Sequence, residues 1–496
     1  NSGTPGVPAV ALTYTYDSMG NRISVEDNLG VRADSTYDSR RRLVSRTWQG
    51  VGMADPMRVD FAYDALGNYR FVNRFTDING LNQVGSSTFT YDALSHLTEL
   101  THDAINGGVS TVADYRYTYN DAGLLSAEDH PDQTFDYSYD GSGQLTGSTR
   151  SLFDNETFTY DANGNPAGAG YVVGANNRII SDSSHDYGYD AEGNIISKTE
   201  TATGMVTTFS YDHRNRLTLV EKRNAGDLLL SKITYTYDGR DRRIKTSVDG
   251  QVVYIVYDGE NVWADFNAAA SLETRYMFGD KLDSLIARTR STGWSDWYLT
   301  DRLGTVRDLV DSYGTLLNHV DYDSFGRVHA QTDMGQGDRF LFTGREYSDD
   351  TGLYYYRGRY YDPGLGRFIS QDPIGFEGGD FNLYRYVNNS PLNGTDPTGE
   401  STIVSSALIF ACSSIKAVQT ATAQINIWLP PLLAVRDVLA TGHYTKYTPP
   451  SWIDDAVDFG FQAMPSSPCG LPTPIIDQYK DMVKWALKTL HFPPKK

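Results

Sequence analysis

The chain has 496 residues, a formal net charge of −19 and 40% hydrophobic residues. Such length exceeds one ordinary core and points to several domains or a repeat array. The charge argues against a nucleic-acid surface on the main body, and two cysteines, Cys412 and Cys469, cannot form a disulfide framework. They leave either one bridge or two free thiols.

Thirty-five Tyr and 46 Gly favour strands and turns, so the expected class is all-β. The chain opens on Asn1 and reads as a fragment or a processed piece. From the N-terminus onward one unit recurs: aromatic-x-Tyr-Asp-x-x-Gly-Asn/x-Leu/Ile. Copies include "YTYDSMGNRI" from Tyr14, "FAYDALGNYR" from Phe61, "YSYDGSGQLT" from Tyr137 and "YGYDAEGNII" from Tyr187. The central tyrosines are Tyr16, Tyr37, Tyr63, Tyr91, Tyr119, Tyr139, Tyr160, Tyr189, Tyr211, Tyr237 and Tyr257, spaced 20 to 29 residues apart.

Each part of the unit has a physical role. Aromatic-x-Tyr puts two rings on one face of a strand. The Asp starts a turn, because its carboxylate bonds backbone N–H groups further on. Gly supplies a positive φ, and Leu or Ile restarts a strand. Each unit is thus a β-hairpin, and stacked hairpins share a buried face. "DANGN" from Asp161 loosely resembles a calcium loop, but it lacks the later bidentate Glu, so the turn cap is preferred. Arg41 and Ser95 replace the turn Gly, and Asn120 replaces the Asp.

These units resemble the YD repeats of the Rhs family. The resemblance implies a long β-strip that spirals into a hollow shell. Residues 1–265 are assigned to that strip.

Residues 266–400 differ. Asp301, Asp311 and Asp323 each start an Asp-x-x-Gly turn in "WYLTDRLGTVRDLVDSYGTLLNHVDYDSFGRV". Then come "RGRYYDPGLGRFISQDPIGF" and "TDPTG", with Asp-Pro corners at Asp362, Asp372 and Asp396. Asp-Pro-x-Gly makes a good turn in its own right. Residues 297–399 also resemble the Rhs-associated core domain. That resemblance implies a plug closing one end of the shell and an intramolecular aspartyl protease, as in the C component of Tc toxins. By it, Arg359 matches the functional arginine and Asp372 and Asp396 the catalytic pair. The cut then falls between Glu400 and Ser401, and the chain's own tail is the encapsulated cargo.

Paired carboxylates suit hydrolysis, because two held close cannot both ionise easily and their pKa values split. Arg359 would orient one of them; as a plain structural partner of Asp372 it would look the same in sequence. Asp362 is best read as a turn cap. Glu400 stands where the family has leucine, and a buried unpaired charge there would oppose cleavage.

From Ser401 the composition shifts: the tail to 496 carries eight Lys and Arg against six Asp and keeps three tyrosines. Ser401 to Leu429 favours helix up to Pro430-Pro431. Pro472 to Phe492 reads as amphipathic, with Ile475, Tyr479, Met482, Val483, Ala486, Leu487 and Leu490 on one face. Its Gln and Asn residues, Lys416 and the Pro pair make the tail a poor membrane helix. It has no metal-ligand cluster, phosphate loop or nucleophile motif, so its activity is not legible, and no cofactor or metal is expected.

The expected whole is a strip at 1–265, a core at 266–400 and a variable, mainly helical tail at 401–496. The function it implies is a bacterial polymorphic toxin fragment, secreted or at the cell surface through a secretion system, with an immunity protein as partner. The alternative is a non-enzymatic surface adhesin that binds cell-surface glycans through its aromatic-rich faces.

Overall fold

A computed structural model describes residues 8–51, 56–105, 107–168 and 170–400, and the backbone of 403–404. The tail helices, the tail cysteines and Ser401 lie outside the described residues. Thirteen antiparallel strands, Leu12–Tyr16 through Glu156–Thr157, form a first sheet. Sixteen more, Val172–Val173 through Val328–Gln331, form a second. Every strand in both sheets pairs with its neighbours in sequence. The second ladder runs through Asn261–Asn267 without a break, so the strip continues past the point where the repeat consensus fades.

The turn chemistry is uniform. Asp17 Oδ1 accepts the N–H groups of Met19 at 2.9 Å and Asn21 at 2.8 Å, while Oδ2 accepts the Asn21 amide at 2.7 Å. Asp140, Asp161 and Asp212 do the same in their own hairpins. Both oxygens of Asp161 are taken up this way. Asn120 substitutes faithfully, because its single amide oxygen accepts from Ala122 and Leu124 at 3.0 Å each. Arg41 and Ser95 occupy the glycine position with φ of 61° and 65°, a conformation that costs a side-chain-bearing residue about 1–2 kcal/mol.

The central tyrosine links one hairpin to the next. Its hydroxyl donates to the carbonyl five residues after the preceding repeat's Asp or Asn: Tyr63 to Leu43 at 2.7 Å, Tyr119 to Leu97 at 2.8 Å, Tyr139 to Leu125 at 2.7 Å. Tyr211 to Ile195 and Tyr237 to Leu217 continue the pattern at 2.9 and 2.6 Å. It extends into the core region, where Tyr322 donates to Val306 at 2.7 Å. The first aromatic of the pair instead lies in the core in several repeats, as Phe61, Tyr117, Tyr187, Phe209 and Tyr235 do.

The strip winds back beside itself. Tyr14 reaches Asp258 and Tyr115 reaches Asp308, each at 3.1 Å, so the separation in sequence tightens from 244 to 193 residues along the seam. Between these ties, Asp27 accepts from Trp263 Nε1 at 3.0 Å and pairs with Arg275 at 2.9 Å. Val25, Trp48 and Met57 of the first sheet share one apolar cluster with Trp263, Phe266 and Trp297 of the second.

A small four-stranded sheet follows: Glu346–Ser348, Leu353–Tyr355, Tyr360–Asp362 and Arg367–Phe368. Period-two alternation buries it on both faces. Leu353, Tyr355 and Tyr360 pack on Ile195, Phe209 and Ile233. Tyr354, Tyr356, Tyr361 and Phe368 pack on Val320, Tyr322 and Phe342. Asp362 caps its turn through Gly364 at 2.9 Å and pairs with Lys198 at 2.8 Å, so this Asp-Pro corner also pins the small sheet to the strip.

Two predictions follow from these contacts. Tyr63→Phe removes one hydroxyl tie and lowers the unfolding free energy by about 1 kcal/mol in urea. Tyr16→Phe, at a ring 58% exposed in the first repeat, leaves it unchanged. The second concerns His319, whose Nδ1 meets Asp308 at 2.6 Å and whose Nε2 meets Asp132 at 3.2 Å and Asp321 at 3.5 Å. Burial and nearby Arg307 pull its pKa down, but the carboxylates outweigh them and raise it to about 9. A His with a raised folded pKa stabilises fully below its unfolded value of about 6.5, and that contribution is lost as pH rises through about 9. Unfolding free energy therefore declines across that window by about 3 kcal/mol at most. His319→Gln flattens this decline.

Candidate active site

Two Asp-Pro corners converge on one guanidinium. Arg359 follows the turn after Leu353–Tyr355 and enters the strand Tyr360–Asp362. Its Nη2 meets Asp372 Oδ2 at 2.9 Å and Asp396 Oδ2 at 3.2 Å. Nη1 donates to the Leu383 carbonyl at 3.0 Å, and Nε donates to the Gly399 carbonyl. The guanidinium lies 3.6 Å over the Phe368 ring, a contact that favours a desolvated cation. Arg359 and Asp396 are 4% and 2% exposed.

Each aspartate uses one oxygen for its turn and offers the other to Arg359. Asp372 Oδ1 accepts the Ile374 N–H at 3.0 Å. Asp396 Oδ1 accepts the Glu400 N–H at 3.1 Å and faces Thr398 Oγ1 at 3.5 Å. In each of these side chains one oxygen therefore serves the turn and the other the ion pair with Arg359. Arg359 is both a structural partner and the hub of the cluster.

The residues on either side of the expected cut are held from several directions. Gly358 N–H donates to the Thr398 carbonyl at 2.9 Å. Gly399 has φ 71°, and a side chain there would begin 2.5 Å from the Tyr356 carbonyl oxygen, so only glycine fits. Glu400 is half-buried, and its backbone N–H is fixed by Asp396. Ser401 lies outside the described residues.

The two acids differ in setting. Burial raises the Asp372 pKa, Arg359 lowers it, and Asp396 and Glu400 raise it further; the outcome is above the usual carboxylate range. Burial pulls Arg359 down against the pull of Asp372 and Asp396, yet an arginine stays protonated in proteins. One cation thus faces three carboxylates, and burial tilts Asp372 toward its neutral form. Among the described residues no cluster of three or more His, Cys, Asp or Glu could hold a metal ion.

Phe368, Gly358 and Gly378 also belong to this site, and the motif spacing did not mark them. Gly358 sits inside the quoted "RGRYY" and Gly378 inside "FEGGD", but a glycine next to a turn carries no separate signal.

The family model described as Teneurin YD-shell matches residues 127–392, more than half of the chain. The chain belongs to the Teneurin YD-shell family. Its YD-shell is also similar to known bacterial proteins. It is 28% identical over 366 residues to tRNA nuclease WapA of Bacillus subtilis, covering 68% of this chain and 14% of WapA. It is 27% identical over 477 residues to toxin protein Tse5 of Pseudomonas aeruginosa, covering 78% of this chain and 36% of Tse5. To probable deoxyribonuclease RhsB of Dickeya dadantii it is 27% identical over 438 residues, covering 77% and 29%. The chain thus spans well under half the length of these relatives. Among solved structures, TcdB2-TccC3 without its hypervariable C-terminal region superposes with a TM-score of 0.57 at 18% identity, covering 78% of this chain and 21% of that one. This likeness extends to the fold. The YD-shell is all-β and of the Rhs/YD-repeat kind, as the tyrosine and aspartate repeats lead one to expect.

Arg359→Gln leaves Asp372 and Asp396 without their shared cation. Unfolding free energy falls by about 3–5 kcal/mol. Adding Asp396→Asn recovers part of that loss, read as a coupling energy in a double-mutant cycle.

Proposed function

We propose that this YD-shell is an Rhs-type toxin component that cuts its own chain between Glu400 and Ser401 and so frees the C-terminal segment as its effector. The observation that carries this reading is Arg359 Nη2 holding Asp372 at 2.9 Å and Asp396 at 3.2 Å beside the Gly399–Glu400 backbone.

The chemistry is water-dependent peptide hydrolysis. Asp372 and the Glu400 carbonyl oxygen both border the space beside Gly378, so Asp372 in its neutral form is the acid. Asp396, paired with Arg359, is the ionised partner that takes a proton from water. The water oxygen bonds to the Glu400 carbonyl carbon, the bond to the Ser401 nitrogen breaks, and the Asp372 proton passes to that leaving nitrogen. The products are a carboxyl at Glu400 and an amine at Ser401. Bond and acids belong to one chain, which removes most of the entropic cost of bringing them together.

The freed segment is the cargo, neutralised in the producer by an immunity protein, and the whole is exported to act on other cells. The similarity to a toxin protein and a tRNA nuclease supports the toxin class. It assigns no activity to this tail.

The test is intact mass spectrometry of residues 1–496 beside Asp372→Asn, Asp396→Asn and Glu400→Leu. The parent yields two fragments with a break at Glu400–Ser401. The two Asn variants stay whole, a loss of at least about 100-fold in rate. Glu400→Leu still cuts, with its alkaline limb at lower pH, because the lost carboxylate helps hold the Asp372 pKa up. An uncut parent would move the reading to the adhesin that binds cell-surface glycans.

A further inference from the structure

Glu400 lies between two glycines. A side chain on Gly358 would begin 3.3 Å from Glu400 Cγ, 3.4 Å from its Oε1 and 3.0 Å from the Thr398 carbonyl oxygen. From the other side, a side chain on Gly378 would begin 2.9 Å from Asp372 Oδ2 and 3.0 Å from the Glu400 carbonyl oxygen. Neither glycine has a positive φ, so backbone conformation alone does not call for glycine at either place. Gly378 closes the short 3-10 turn Gly375–Gly378, which starts within three residues of Asp372. What marks both positions is the close approach of their neighbours, which a Cβ would push aside.

We propose that Gly358 and Gly378 are positioning residues: the two walls of a slot that seats residue 400 and brings its carbonyl against Asp372. This rests on the self-cleavage reading and specifies what that cleavage recognises. Gly378 meets only main-chain and carboxylate atoms, so it sets the approach of acid to bond. Gly358 meets the stem of the residue 400 side chain. Slot contacts therefore fall on the Glu400 backbone, its stem and its Oε1, so the half-exposed side chain lies along the slot wall with its carboxylate. A wall without a Cβ leaves room for the whole residue 400 side chain, carboxylate included, which accounts for glutamate at a position where the family has leucine.

A methyl on Gly378 pushes the Asp372 carboxyl off Arg359, the group that lowers its pKa. The alkaline limb of the cleavage rate then moves to higher pH. A methyl on Gly358 displaces Glu400 and leaves the Asp372–Arg359 contact in place; drawing the Glu400 carboxylate away from Asp372 moves the limb, if at all, to lower pH.

The experiment is a time course of self-cleavage by intact mass, across pH, for the full chain and for Gly378→Ala and Gly358→Ala, with thermal unfolding as a check on folding. Gly378→Ala is expected to slow cleavage about 100-fold and to shift the alkaline limb upward. Gly358→Ala is expected to slow it about tenfold without an upward shift of the limb. Cleavage of both variants at the parental rate, from a parent that does cut, would overturn the slot while leaving self-cleavage standing. An uncut parent would overturn both. Should Gly378→Ala fail to fold, Gly358→Ala decides: parental rate overturns the slot, and slowing without an upward shift of the limb supports it.

Discussion

Everything in the strip hangs on a hydroxyl bonded across hairpins. The repeat tyrosine of one hairpin donates to a carbonyl at the base of the previous turn, as Tyr63 does to Leu43 and Tyr237 to Leu217. That carbonyl is in place only because the preceding Asp has already closed its turn. The capped turn and the staple are therefore interdependent, and each bond is worth only about 0.5–1.5 kcal/mol. Repetition turns such small terms into a quasi-one-dimensional stack in which each unit depends on its neighbours. It also explains why drift is tolerated. Arg41, Ser95 and Asn120 each change one component and keep the turn's hydrogen bonds.

The same turn chemistry builds the site. An Asp-Pro corner needs one carboxylate oxygen for its own backbone, which leaves the other free to point elsewhere. At Asp362 the second oxygen meets Lys198; at Asp372 and Asp396 it meets Arg359. A buried arginine is costly unless fully compensated. Here two acids, two carbonyls and the Phe368 ring surround it. The small Tyr-rich sheet, buried on both faces, anchors the strand that Arg359 leads into.

Much of this was legible from residues alone. Period-two aromatics and Asp-x-x-Gly spacing gave the hairpins, because both are local signals. The destination of the tyrosine hydroxyl was not legible, since its acceptor is a main-chain atom of another repeat and leaves no mark on side-chain identity. Turn and site looked like competing roles for Asp372 and Asp396 because sequence does not assign separate partners to the two oxygens of one carboxylate. Gly358 and Gly378 went unmarked for a related reason. A glycine demanded by close approach reads the same as one demanded by a turn, and only the contacts a Cβ would make separate the two. The winding of the strip back on itself rests on pairs such as Tyr115–Asp308, 193 residues apart, far beyond any local pattern.

The central claim is that water opens the Glu400–Ser401 bond under the paired acids. The most direct measurement is cleavage in water enriched in heavy oxygen, with the N-terminal fragment read by mass spectrometry down to its last residue. The account predicts a fragment ending at Glu400 with a single heavy oxygen in its new α-carboxyl. A chain that remains whole, a cut at another bond, or a Glu400 terminus without the label would contradict it.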